Sequence, residues 1–243
     1  QAMLAAFLFG ASAPLSKLLL AEISPVLLAA LLYLGSGIGL LCVKLMEKTV
    51  HGEQKEARLA PSDWPWLFGA ILAGGVIAPI MLMTSLRHAP AATASLLLNF
   101  EGVATTLIAV IVFKEAIGRH AWWGIGLITV ASILLSTDFT NKWGFSFSAL
   151  GVLAACVMWG VDNNLTRNIS AKDPLAIVTV KGLGAGLVSL IIAFSLGNTF
   201  PSLGVTLLAL LLGSLSYGLS IFLFIYALRG LGAGRTSALY STA

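Results

Sequence analysis

Charge is what this chain has least of. Only 10% of its residues are Asp, Glu, Lys or Arg, against 58% hydrophobic ones, and its mean hydropathy is +0.96. So few polar side chains cannot cover a soluble surface, which makes the chain an integral membrane protein. Cysteine is nearly missing too. Cys42 and Cys156 both fall in apolar runs and read as small packing residues, with no disulfide implied. The histidines, His51, His88 and His120, lie in loops or at helix ends, and there is no HExxH, no GxSxG and no phosphate loop. Nothing therefore points to an enzyme, a metal or a cofactor. The period-2 alternation of barrel strands is absent as well, so spans of this length are helices. A net charge of +4 would suggest nucleic acid as partner for a soluble protein. Here a bias among the loops accounts for it, and the expected surroundings are a lipid bilayer.

Apolar runs extend over Ala2 to Leu20, Pro25 to Leu45, Trp64 to Leu86, Ala91 to Phe113 and His120 to Leu135. A second series covers Phe147 to Leu165, Pro174 to Leu196, Leu203 to Leu228, and Thr236 to the chain end. Ala11-Ser12-Ala13 has the form of a signal-peptidase site, but no basic segment precedes it and the run recurs inside the chain, so a permanent helix is expected. The chain starts at Gln1 and stops inside an apolar segment, as a piece of a longer protein would. Lys44 to Asp63 is the one long polar stretch and reads as a solvated loop without chemistry.

The chain repeats itself. FGASAPLSK (Phe9 to Lys17) aligns with WGVDNNLTR (Trp159 to Arg167), Pro25 with Pro174, and LGSG (Leu34 to Gly37) with LGAG (Leu183 to Gly186). SLRHAPAATASLLL (Ser85 to Leu98) then aligns with ALRGLGAGRTSALY (Ala227 to Tyr240). Matches in one order at a nearly constant offset predict an all-α polytopic membrane protein built of two five-helix units, residues 1–138 and 139–243, the second cut off in its fourth helix. Because five is odd, the second unit is inverted in the membrane relative to the first. With the amino end in the cytoplasm, Lys44, Lys48, Lys55, Arg58, Lys114, Arg119, Arg167, Lys172, Arg229 and Arg235 lie inside, and Lys17, Arg87 and Lys142 outside. The positive-inside rule favours that orientation.

Glu101 is the only charge between Ala91 and Phe113, near the middle of its span. A lone ionisable group at such depth costs roughly 2.5 to 3.5 kcal/mol on insertion scales, so a functional role is the default expectation, beside the plainer one of a protonated interhelical donor. Asn99 shares its helix, Asp162, Asn163 and Asn164 lie on the sixth span and Lys181 on the seventh. Ser12 and Ser16 occupy the matching face of the first, with Trp159 and Tyr33 nearby. This clustering at repeat-related positions predicts a polar cavity between the halves. Asp162 and Lys181 lie at matching depth below the same boundary, which predicts an ion pair. Gly35 and Gly39, and Gly182 and Gly186, form small-xxx-small faces whose plain reading is tight helix packing.

An inverted pair of five-helix halves whose first half closes on LLLNFEGVATTLIAVIVFKEAIGRHAWWGIGLITVASILL resembles the drug/metabolite transporter superfamily, specifically its EamA-type members. That family carries a Leu-Glu-Pro-like motif in its fourth helix, then a Gly-Glu near its cytoplasmic end, then a Gly-rich fifth helix. Phe100-Glu101-Gly102, Lys114-Glu115, and Gly124 with Gly126 stand in those places, Gly102 and Lys114 departing from the pattern. The resemblance covers essentially the whole chain. It implies a ten-helix fold, about eight and a half helices of it present here, and an alternating-access exporter of a small organic metabolite such as an amino acid, coupled to protons or passive, in a bacterial inner membrane. Lipid-linked head groups or nucleotide sugars are the alternative cargo. An intramembrane transferase using Asp162 and Lys181, and a channel, are the alternative classes; the sequence has no filter-like loop for the latter.

Overall fold

The apolar runs fold as helices because lipid offers backbone N–H and C=O groups no partner outside their own segment. A computed structural model describes residues 1–51, 56–138 and 144–240. The helices are α1 (Ala2–Leu19), α2 (Pro25–His51), α3 (Pro61–His88), α4 (Ala91–Ile111), α5 (Arg119–Ser136), α6 (Phe147–Ile169), α7 (Pro174–Ser195), α8 (Leu203–Leu231) and α9 (Ala233–Tyr240). Six of them, α1 to α4, α7 and α8, are long and apolar enough to cross a membrane. Of comparable length, α6 carries Asp162, Asn163, Asn164 and Arg167 on its second half and buries the first three against its neighbours. Lys55 and Lys142, counted above for orientation, lie outside the described residues.

Local chemistry sets most helix ends. Pro25 and Pro174 open α2 and α7, where a missing N–H costs nothing. Asp173 caps α7 by accepting from the Leu175 N–H at 2.9 Å. The polar stretch after α2 differs from expectation. Its helix runs on to His51, because Met46, Glu47 and Lys48 are good helix formers, and Lys44, Ala57 and Asp63 are tied to the start of α7. Lys44 bonds Asp173 at 2.7 Å, Lys172 pairs with Asp63 at 3.4 Å, and Ala57 C=O accepts from the Asp173 N–H at 2.9 Å. A two-residue ribbon, Thr137–Asp138 against Gly144–Phe145, is the only strand pairing among the described residues.

Several helices are interrupted. α1 breaks at Ala11, because Pro14 has no N–H for the Gly10 carbonyl and its ring crowds that group. α4 breaks at Asn99, whose side-chain amide donates to Leu96 C=O at 3.0 Å and competes with the ladder there. α3 and α8 each contain a π-helical segment, Ile71–Ile77 and Gly213–Leu219, at the same offset that aligns Ser85 with Ala227. Three residues past the end of α4, Lys114 takes the left-handed conformation (φ 54°), and the Glu115 N–H bonds back to Ala109 C=O at 3.0 Å. Glycine normally closes such a motif, so the departure at Lys114 has a conformational cost.

α2 and α7 cross in close backbone contact. A Cβ on Gly37 would run into the backbone of Gly182 and Leu183, and one on Gly182 into the backbone of Gly37. Gly186 faces Leu34, while Gly35 and Gly39 face Leu210 and Ser214 of α8. Because backbone rather than a pliable side chain blocks the space, Gly182→Leu is expected to cost more than the 1 to 3 kcal/mol roughly typical of overpacking. The loss of monodisperse protein in detergent chromatography checks this, with Gly124→Ala, whose surroundings are open, behaving as the parent.

Candidate functional site

α6 meets α4 through two asparagines that bracket one threonine. Asn163 Nδ2 donates to Glu101 Oε1 at 2.8 Å and to Thr105 Oγ1 at 3.1 Å, using both of its amide hydrogens. Asn164 Nδ2 donates to Thr105 C=O at 3.0 Å and to Gly160 C=O at 2.8 Å. Glu101 is 6% exposed. Thr105 follows it by one helical turn, and that spacing is the signal in the sequence that would have added it to the site.

On the adjacent face, α6 meets α7. Lys181 Nζ lies 2.6 Å from Asp162 Oδ1 and 2.5 Å from Oδ2, and Thr166 Oγ1 donates to Oδ1 at 2.9 Å. The expected ion pair is thus present, with its side chains 4% and 3% exposed. α3 leaves room for it: a Cβ on Gly74 would collide with the Asp162 carboxylate. The π register also frees the Gly74 carbonyl, since the residue five further on is Pro79, which has no N–H. Tyr33 Oη and Trp159 Nε1 supply the missing donors at 2.5 and 3.0 Å. Three helices thereby meet at one backbone oxygen beside the ion pair.

Aromatic rings close the remaining space. Phe9 sits edge-on to Trp159 and Tyr217 at centroid distances of 5.3 and 5.5 Å, and 5.5 Å from Tyr240. Phe9 is the repeat partner of Trp159, the signal in the sequence that points to it; Tyr217 shares its apolar run with Tyr226, and nothing in the sequence alone singles it out. Between these rings and the polar groups lies a cavity of about 30 Å³, lined among others by Tyr33, Glu101, Trp159, Asp162, Asn163 and Lys181. A second cavity, of about 100 Å³ and lined by Ser95 and Asn99, shares Phe9, Glu101 and Tyr240 with the first. Glu101 therefore stands in the wall between them. Asn164 ties two helices together, and Ser12 and Ser16 are buried on α1; none of these three lines either cavity.

About 30 Å³ is the liquid volume of one water molecule, whereas sites for organic ligands span roughly 300 to 1,000 Å³. The central site is closed as it stands, and any organic ligand needs the helices around it to part.

The model of the EamA-like transporter family matches residues 1–137 and 146–243. An uncharacterized transporter of Methanothermobacter thermautotrophicus is 32% identical over 250 aligned positions, covering 97% of this chain and 73% of that protein. The probable 4-amino-4-deoxy-L-arabinose-phosphoundecaprenol flippase subunit ArnE of Pectobacterium atrosepticum is 33% identical over 112 residues, 46% of this chain and 97% of that one. Among solved structures, one crystal structure covers 99% of this chain with a TM-score of 0.71 at 19% identity, a likeness of fold alone.

Proposed function

Because this chain belongs to the EamA-like transporter family, we propose that it exports a small organic metabolite, an amino acid or related compound, by alternating access between two inverted halves, residues 1–138 and 139–243. The observation that carries this reading is the closed central cavity. Glu101 reaches it from the first half and Asn163, Asp162 and Lys181 from the second, where a carboxylate and an ammonium are available to a zwitterion once the helices part. Two separate family matches, and a relative as long as one half, support the two-unit division. The loop bias supports a cytoplasmic amino end; a bacterial inner membrane is the proposed setting.

The flippase relative favours a second reading, in which the cargo is a lipid-linked head group, with a nucleotide sugar as the other alternative. A thermal-shift screen of the purified protein against amino acids, sugar nucleotides and short-chain lipid phosphates separates the two. At a hundredfold excess over Kd, a true substrate stabilises by about 2.7 kcal/mol. Shifts with amino acids are the expected result; shifts confined to the lipid phosphates or sugar nucleotides transfer the site to the second reading.

A further inference from the structure

Among the described residues, the charged groups lining the central cavity are Glu101, Asp162 and Lys181. Lys181 Nζ bonds both oxygens of Asp162, so the two neutralise each other and Glu101 is left as a negative charge in excess. Its donor is the neutral amide of Asn163, on Oε1, and no described group donates to Oε2. Because Asp162 and Asn163 are consecutive on α6, the ion pair and the Glu101 contact hang from one turn of that helix, and all three groups face the same space. Aromatic rings from four helices run around it. Trp159 of α6, Phe9 of α1, Tyr217 of α8 and Tyr33 of α2 stand each edge-on to the next, at centroid distances of 5.3, 5.5 and 5.4 Å. Trp159 and Tyr33 use their polar hydrogens on the Gly74 carbonyl, whereas Tyr217 Oη is buried in the cavity wall without a hydrogen-bond partner. A buried hydroxyl left in that condition is destabilising until something entering the cavity bonds it. A surplus carboxylate among rings is a setting for a cation, which the ring quadrupoles attract most strongly where water is excluded.

We propose that the cargo is an amino acid with a positively charged side chain. This rests on the amino-acid carrier reading given above and narrows it to one charge class. Once the helices part, the carboxylate of the cargo goes to Lys181 and its α-ammonium to Asp162, so that these four groups are neutral together, as the ion pair is alone. The side-chain cation then lies against Glu101, among the rings of Phe9, Trp159 and Tyr217, and donates to Tyr217 Oη. A neutral side chain in that place would shield Glu101 from water without supplying a counter-charge, and an acidic one would add a second negative charge beside it. Selection therefore comes from the partner that Glu101 lacks as much as from the rings.

Calorimetric titration of the purified protein with lysine and with norleucine, in which a methyl group replaces the side-chain ammonium, tests the assignment. Lysine is expected to bind about tenfold more tightly than norleucine. Glu101→Gln should weaken lysine about tenfold and move norleucine by less than about twofold, because the side-chain cation alone loses its counter-charge. Phe9→Leu removes a ring without changing any charge, and should weaken lysine about fivefold while leaving norleucine near its parental value. Each variant is read as lysine against norleucine on the same protein, so a loss of folded protein lowers both signals alike and leaves the ratio intact. Equal affinities in the parent, or equal losses of both ligands in Glu101→Gln, overturn the charge assignment and leave an amino-acid carrier standing. Binding of neither overturns it together with the amino-acid reading. A lysine preference in a protein that shows no lysine flux in proteoliposomes upholds the site and ends the carrier reading instead.

Discussion

Glu101→Gln is expected to reduce pH-driven transport to background while leaving the protein folded. Glutamine fills the same volume and still offers an oxygen to Asn163 Nδ2, which lies 2.8 Å from Glu101 Oε1, so the α4–α6 contact survives. Stability should change by no more than the roughly 0.5 to 3 kcal/mol of an ordinary substitution. What glutamine cannot do is take up and release a proton. Glu101 is placed to do so, since it forms part of the wall between two cavities and a modest rotation of its side chain would face either. Proteoliposomes with an imposed pH gradient read the driven flux, and exchange of labelled for unlabelled substrate at equal pH reads binding and reorientation without it. A coupled carrier should lose the first and keep part of the second. Parental driven flux in the glutamine variant would remove Glu101 from the coupling step and leave it a structural ligand of Asn163.

Much of the fold was legible because lipid imposes a simple rule on the chain. Long apolar runs bounded by Pro25 and Pro174 became α2 and α7, and Asp162 met Lys181 because two charges at equal depth have few other partners. What stayed illegible depends on register and packing. Nothing in the composition of Ile71–Ile77 announces a π-helix; only Pro79, withholding the donor for Gly74, hints at it. The matching segment Gly213–Leu219 has no proline and became visible only through the repeat. Gly37, which makes the closest backbone contact with Gly182, lay between the glycines chosen for their spacing. The stretch after Lys44 looked like free loop because its ion pairs, with Asp173 and Lys172, are made to residues more than a hundred positions away.

Separating Asp162 from Lys181 should cost more than removing both. Lys181 Nζ bonds both carboxylate oxygens, at 2.6 and 2.5 Å, and the side chains are 3% to 4% exposed, so neither charge has water to fall back on. Asp162→Asn leaves an ammonium stranded, and Lys181→Met leaves a carboxylate held only by the Thr166 hydroxyl at 2.9 Å. Breaking one side of a buried pair costs roughly 3 to 5 kcal/mol, whereas an apolar or neutral replacement of both is often tolerated. Lysine's long stem gives it one escape, toward the boundary near Pro174, and that would reduce the penalty for Asp162→Asn more than for Lys181→Met. Thermal unfolding of the two single variants and the double variant closes the cycle, with an expected coupling of about 2 to 3 kcal/mol. Transport should follow the same order if the pair is a gate that substrate opens, with the double variant retaining flux that each single variant loses. Strictly additive losses would mean that the two residues, though in contact, do not support each other, and the gate would have to be placed at the aromatic wall of Phe9 and Tyr240 instead.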